Sequence, residues 1–305
     1  MQVTLLHNKS AGSENHAAEE LAASLRRAGH EVLDIVSSHE ALPASMRARP
    51  PELIAIAGGD GTVSRVACAL AGSTVPLAVI PLGTANNTAL TLGAHGNVHE
   101  LMHGWSSGEP IPFDLATVRA GEPLTWFSEA VGWGVFPSVI ARARQLSVPD
   151  EPRRTLERDR GLFHSVIEGF RAGSYEIQID GVSITGEFLV VEIMNIPLLG
   201  PRLALSPSSD PRDGLLELVL ASVTDRATLL ELALTGQIAS GARLRTLRGK
   251  EIVVRAQAPA FHRDGSLVEQ APESAEFAIA VKPASVRYLV PSVIPEARAT
   301  LSPPL

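Results

Sequence analysis

The stretch Leu53-Ile54-Ala55-Ile56-Ala57-Gly58-Gly59-Asp60-Gly61-Thr62 sets a short apolar run against three glycines, and a helix-compatible segment then continues to Leu70 before Gly72. The run reads as a buried β-strand over 53–57, and the segment after the glycines as a helix over 62–70. Glycines between the two tolerate positive φ and close approach of a ligand, and the helix start adds free N–H groups and partial positive charge. This arrangement cradles phosphate. A carboxylate beside phosphate is repulsive unless a metal or a transferable proton lies between them. Asp60 therefore reads as a Mg²⁺-facing or proton-handling group, the plain alternative being a helix cap in a tight turn.

Working outward, a strand at 3–7, a helix from about Ser13 to Ala28 stopped by Gly29, a strand at 31–36 and another at 76–81 give a βαβ rhythm. That predicts an α/β domain with a parallel sheet and ligand sites at the strand C-termini. The strand ends would carry Asn8-Lys9-Ser10-Ala11-Gly12, the glycine turn and Leu82-Gly83-Thr84-Ala85-Asn86-Asn87 to one edge. After Phe113-Asp114 the texture turns β-rich, at 175–179, 188–193, 215–220, 251–255 and 277–281, with helices near 133–146, 161–171 and 225–240. The expected architecture is a nucleotide-binding α/β domain over 1–112 and a β-sandwich-like domain over 113–285, with a cleft between them. The apolar stretch 286–290, within the tail 286–305, is expected to return to the first domain.

The 305 residues carry a net charge of -7 and are 45% hydrophobic, which suits two modest cores and argues against a surface that tracks nucleic acid. Cys68 is the single cysteine, so there is no disulfide framework and a reducing compartment is expected. No apolar run reaches the roughly 18 residues of a spanning helix. A cytoplasmic protein touching the membrane peripherally is the expectation.

Other clusters have plainer readings beside functional ones. Asp210-Pro211-Arg212-Asp213-Gly214 suits either a hard cation or a solvated turn. Phe261-His262-Arg263-Asp264-Gly265-Ser266 reads as a hairpin end, functional if Asp264 faces the cleft. His99-Glu100-Leu101-Met102-His103 matches a zinc-protease helix motif in form, but Gly104 ends the turn and a capping box from Asn97 to Glu100 accounts for the glutamate. Six arginines and four acids between Arg142 and Arg160 form either a lipid-facing patch or a solvated face.

Taken in order, Asn8-Lys9-Ser10-Ala11-Gly12, Gly58-Gly59-Asp60-Gly61-Thr62, Pro81-Leu82-Gly83-Thr84-Ala85-Asn86-Asn87, Glu129-Ala130-Val131-Gly132-Trp133-Gly134, Asp213-Gly214-Leu215-Leu216 and Asp264-Gly265 resemble the diacylglycerol kinase catalytic family. The likeness is to its bacterial soluble lipid kinases, which are similar to sphingosine kinases, and spans roughly residues 2–290. It implies transfer of the ATP γ-phosphate to a lipid hydroxyl with Mg²⁺. By the same resemblance Asn8, Ser10, Gly58, Gly59, Asp60, Gly61, Thr62, Thr84 and Asn86 would contact the nucleotide or its metal. Asp264 would be the base, with Asp60 beside it in the chemistry, and Asp213 would hold a structural Mg²⁺. The implied partner is a lipid at the membrane surface, and a homodimer is compatible with the reading. Many relatives carry Asn-Asp where this chain has Asn86-Asn87, and Asp-Gly-Glu where it has Asp264-Gly265-Ser266. These departures keep two alternatives open: a catalytically weakened nucleotide- or lipid-binding protein of the same fold, and a soluble kinase similar to NAD kinase.

Overall fold

The computed structural model describes residues 1–8, 17–121, 123–147, 151–257, 260–268 and 275–291. The first third alternates as read: β1 (Gln2–His7), α1 (Ala18–Arg27), β2 (Glu31–Val36), α2 (Leu42–Ala48), β3 (Leu53–Gly58), α3 (Asp60–Ala69), β4 (Leu77–Pro81), α4 (Asn87–Thr91) and α5 (Val98–Gly104). The strands run parallel in the order β2-β1-β3-β4. Every residue of β3 is buried, as expected where helices cover both faces of a parallel sheet. In α1, Leu21, Ala22 and Leu25 face the core, while Glu19 and Glu20 open the helix and Arg26 and Arg27 close it, matching its dipole. Helix α3 begins at Asp60 rather than Thr62, with Gly59 as its N-cap, so Asp60 sits in the first turn.

The remaining elements are β5 (Glu109–Arg119), β6 (Thr125–Phe127), β7 (Ala130–Gly134), α6 (Val135–Ala143), α7 (Pro152–Gly169), β8 (Gly173–Ile179), β9 (Val182–Phe188), β10 (Val190–Met194), β11 (Leu216–Ala221), α8 (Arg226–Thr235), β12 (Arg245–Gly249), β13 (Glu251–Ala256), β14 (Phe261–Arg263), β15 (Ser266–Val268) and β16 (Ala275–Val290). The parallel sheet continues through β4-β16-β13-β8-β9, with β5 alongside β16, and a second sheet runs β12-β11-β10-β7-β14-β15. Trp133, Val191 and Leu218 of the second sheet meet Ile177, Val254 and Phe277 of the first in one apolar layer, which makes this half a sandwich. Helices α6, α7 and α8 cover the other face of the second sheet.

Residue 112 falls inside β5, and residues 285 and 286 fall inside β16. The start of β5 pairs along one side only, with β16, so Pro110 and Pro112 meet no second strand that needs their missing N–H. The far end of β16 lies beside β4, Tyr288 pairing with Leu77. The helix expected from Trp133 starts at Val135 instead. Trp133 belongs to β7, and Gly134, at φ +92°, turns the chain where a Cβ would lie 2.2 Å from the Leu189 carbonyl oxygen.

Candidate active site

The ends of β3 and β4 bring two glycine loops into contact. A Cβ on Gly83 would sit 2.4 Å from the Gly59 Cα, and one on Gly58 would sit 2.7 Å from the Thr62 Cβ, so the backbones lie closer than any other residue allows. The Asn8 amide donates to Thr62 Oγ1 at 2.7 Å, tying the β1 end to the first turn of α3. Ser10 and Gly12 lie outside the described residues. Asn86, at φ +54°, closes its own turn, its side chain accepting from the Gly83 N–H at 2.9 Å and donating to the Gly83 carbonyl at 2.7 Å. Arg202 clamps the loop from across the cleft through the carbonyls of Ala85 and Thr84.

Three carboxylates converge here. Asp60 Oδ1 accepts the Thr88 N–H at 3.1 Å, and the Thr88 hydroxyl donates to Glu129 Oε1 at 2.9 Å. Burial pushes the Asp60 carboxyl above its ordinary range against the pull of its N–H partners. Glu129 is pushed well above its own, first by burial and then by the charges of Asp60 and Asp264, with its side chain hydrogen-bonded to Asp60. From sequence, Glu129 belongs to a motif but has no role of its own. The available signal was a carboxylate within Phe127-Ser128-Glu129-Ala130-Val131, in a segment that otherwise reads as buried.

Asp264, at φ +45° in the turn after β14, projects toward the same place. Its Oδ1 accepts the N–H groups of Glu129 at 2.9 Å and Ala130 at 3.1 Å, and its Oδ2 accepts the Ser128 N–H at 3.0 Å and the Ser64 hydroxyl. It therefore joins the second sheet to α3, and its acceptor positions are filled, three of them by main chain. Ser64 was not singled out from sequence.

The carboxylates stand at the seam of two cavities. One, about 390 Å³, runs from Asp60, Thr84, Asn87 and Glu129 into a hydrocarbon channel walled by Phe136, Val139, Ile140 and Phe163. The other, about 440 Å³, is lined by His39, Ser64, Arg65, Trp126 and Arg263. Gly61, Asp264 and Ser266 line both.

Asp213 lies apart from this cluster. Its carboxylate is engaged by the Arg248 guanidinium and by the Leu215 N–H at 2.9 Å, while Asp210 pairs with Arg212. The turn is held from inside by Asp114, which accepts from the Gly214 and Ala284 N–H groups. A guanidinium thus occupies the place the resemblance gives to a cation. In the His99–His103 segment, Asn97 caps the helix by accepting the His99 N–H, and no group of three His, Cys, Asp or Glu side chains placed to hold a metal ion occurs among the described residues. Of the arginines between 142 and 160, Arg153, Arg154 and Arg158 pair with acids, and Arg160 donates to the carbonyls of Pro201 and Arg202.

Residues 2–118 match the diacylglycerol kinase catalytic domain, and residues 161–290 match the YegS C-terminal NAD kinase beta sandwich-like domain. A diacylglycerol kinase of Mycobacterium tuberculosis is 27% identical over 95% of each chain. In fold, the chain superposes on the crystal structure of a diacylglycerol kinase from Bacillus anthracis with a TM-score of 0.70 at 19% identity, covering 95% of this chain and 96% of that one. Yeast NADH kinase complexed with NADH shares the fold at a TM-score of 0.53 and 12% identity, over 99% of this chain and 87% of that one. Two matched segments in this order, on the loops that build the seam, mean that the chain belongs to the diacylglycerol kinase catalytic-domain family.

Proposed function

We propose that the protein is a lipid kinase that transfers the γ-phosphoryl group of ATP to the hydroxyl of a diacylglycerol-like lipid at a membrane surface. The observation that carries this reading is the shared seam: a cavity with Arg65 and Arg263 and a hydrocarbon channel meet at Gly61, Asp264 and Ser266. The cationic side suits a triphosphate and the channel suits alkyl chains, so donor and acceptor meet at the carboxylates. In-line transfer needs this positioning more than it needs covalent chemistry.

Asp60, Glu129 and the Asn87 side chain fit a hard divalent cation. All offer oxygen, and Asn87 Oδ1 is buried without a partner while its amide donates to the Gly200 carbonyl at 3.0 Å. Mg²⁺ held there would neutralise phosphate charge. The two glycine loops and the Asn8–Thr62 contact hold the phosphate end of the nucleotide. Asp264 orients the acceptor hydroxyl and takes its proton: three of its four partners are fixed main-chain donors, but the Ser64 hydroxyl rotates aside to free one lone pair of Oδ2.

The test is incubation of purified protein with Mg²⁺, γ-labelled ATP and mixed micelles carrying a panel of hydroxyl lipids, with NAD as a soluble acceptor. Labelled phospholipid is the expected product. Label on NAD alone, or on nothing, overturns the reading.

A further inference from the structure

The transfer chemistry leaves unused a pair of buried polar groups at the floor of the channel. His262, Gly132 and Glu192 lie in register on the neighbouring strands β14, β7 and β10, and the outer two bond over the middle one, His262 Nε2 to Glu192 Oε1 at 2.7 Å. Only glycine permits this, since a Cβ at 132 would lie 1.9 Å from Glu192 Oε1. Both side chains are fully buried on the sheet face that packs under α6 and α7, with the Phe136 ring 6.1 Å from the imidazole. His262 lines the 390 Å³ channel, and its Nδ1 is buried without a hydrogen-bond partner.

Net charge is expensive there. Burial pushes the Glu192 carboxyl up, and the imidazole opposes that shift. The pair is cheapest when neutral overall, as carboxylate with imidazolium or as carboxylic acid with imidazole. In the first, Nε2–H donates to the carboxylate and Nδ1 carries the second proton. In the second, the acid donates to Nε2 and the ring proton again sits on Nδ1. In these two arrangements Nδ1 is an N–H donor beside a hydrocarbon wall, whereas an acid proton on Oε2 with Nε2–H donating to Oε1 would leave Nδ1 bare.

We propose that His262, held by Glu192, is a specificity-determining donor that binds an acyl carbonyl oxygen of the acceptor, so the preferred substrates carry an ester- or amide-linked acyl chain close to the free hydroxyl. The inference deepens the lipid-kinase reading and rests on it. Phe136, Val139, Ile140 and Phe163 suit a neutral acceptor flanked by alkyl chain rather than an anionic one. His262 stands two residues from Asp264, so carbonyl and reacting hydroxyl belong to neighbouring parts of one head group. A ligand without the carbonyl would leave the donor unpaired, a penalty that hydrogen-bonding sites convert into selectivity.

The experiment compares a 1,2-diacylglycerol, its 1,2-dialkyl ether analogue and an N-acyl amide lipid with a free hydroxyl, using the full chain and the double variant H262F/E192L, which removes both polar partners together. For the wild type, kcat/KM is expected to favour the acyl lipids over the ether by about tenfold or more. In the double variant the ratio falls to within about twofold of one. Equal use of the ether by the wild type, or an undiminished ratio in the variant, overturns the proposal. ¹⁵N-histidine NMR on the wild type needs neither turnover nor a folded variant: the His262 Nδ1 resonance is expected to be proton-bearing and to move with the diacyl but not the dialkyl lipid. Identical responses overturn the inference, whereas absence of phosphorylated product with the NMR difference intact overturns only the kinase reading.

Discussion

Replacing Asp264 by alanine removes the single carboxylate to which Ser128, Glu129 and Ala130 donate their main-chain N–H groups, together with the acceptor of the Ser64 hydroxyl. Hydrogen bonds to a charged group contribute roughly 1.5–3 kcal/mol each. Asp264 is half-buried and water reaches part of the vacated site, so a loss of about 3–6 kcal/mol is expected for the set. With an unfolding entropy near 2.1 cal/mol/K per residue over 305 residues, that lowers Tm by about 5–9 °C in a cooperative transition. S64A deletes one of the four donors and should cost about 0.5–1.5 kcal/mol, or 1–2 °C. Catalysis separates the two further. Loss of a proton acceptor is expected to reduce kcat by about 10²–10⁴ in D264A. In S64A the lone pair that substrate must take is already free, so kcat should stay within about threefold. Calorimetry and initial rates on both variants decide this. D264A melting within 2 °C of wild type would refute the structural part, and S64A losing as much activity as D264A would refute rotation of the serine.

Added Mg²⁺ should raise Tm in the wild type and in D213A but not in D60N, because Asp213 already has Arg248 as its cation; a shift lost in D213A would place the metal there instead. Glu129 has a raised pKa in the fold, so the folded state binds more protons than the unfolded one above the ordinary glutamate range, and stability falls as pH rises through the folded value. E129Q should flatten this decline, giving a smaller loss between pH 5 and 8 than the wild type by chemical denaturation; parallel curves would count against the shift. Burial first, and the Asp264 charge second, push the Cys68 thiol up to about 12, so at pH 8 it should resist alkylation in the native protein and react on unfolding, as a timed iodoacetamide assay would show.

The parallel sheet was legible because continuous apolar runs, helix-stopping glycines and strand-end loops are local signals, and 53–62 carries all of them. Other features depend on neighbours far along the chain. The boundary expected at residue 112 falls inside a strand whose free edge, where Pro110 and Pro112 sit, is visible only once β16 is paired beside it. Trp133 carries no mark of its strand, because β7 is set by β10 and β14 on either side. Among the candidate site residues, Asp60, Thr84 and Asp264 could be singled out through their turns. Glu129, Ser64 and His262 were not, since each acquires its part from a partner at least 41 residues away in sequence.

The same dependence explains how Asn87 fits where the resemblance gives aspartate. An aspartate has no donor, so it could not make the hydrogen bond from Asn87 Nδ2 to the Gly200 carbonyl. That bond works with the Arg202 clamp to fasten the 83–87 loop to the wall of the hydrocarbon channel. Beside Asp60 there is already a second carboxyl, Glu129; burial pushes the titration of both upward, and the Asp60 charge adds to the shift of Glu129. An aspartate at 87 would add a fourth acid beside Asp60, Glu129 and Asp264 and push the titration of Asp60 and Glu129 higher still. With Glu129 present, an amide at 87 keeps an acceptor oxygen, spares the charge and adds a latch. N87D should accordingly lower Tm, most at high pH where the added carboxylate must ionise, and E129Q in the same chain should relieve that loss. A variant N87D as stable as wild type at pH 8 would show that the latch, and not only the charge, had been misjudged.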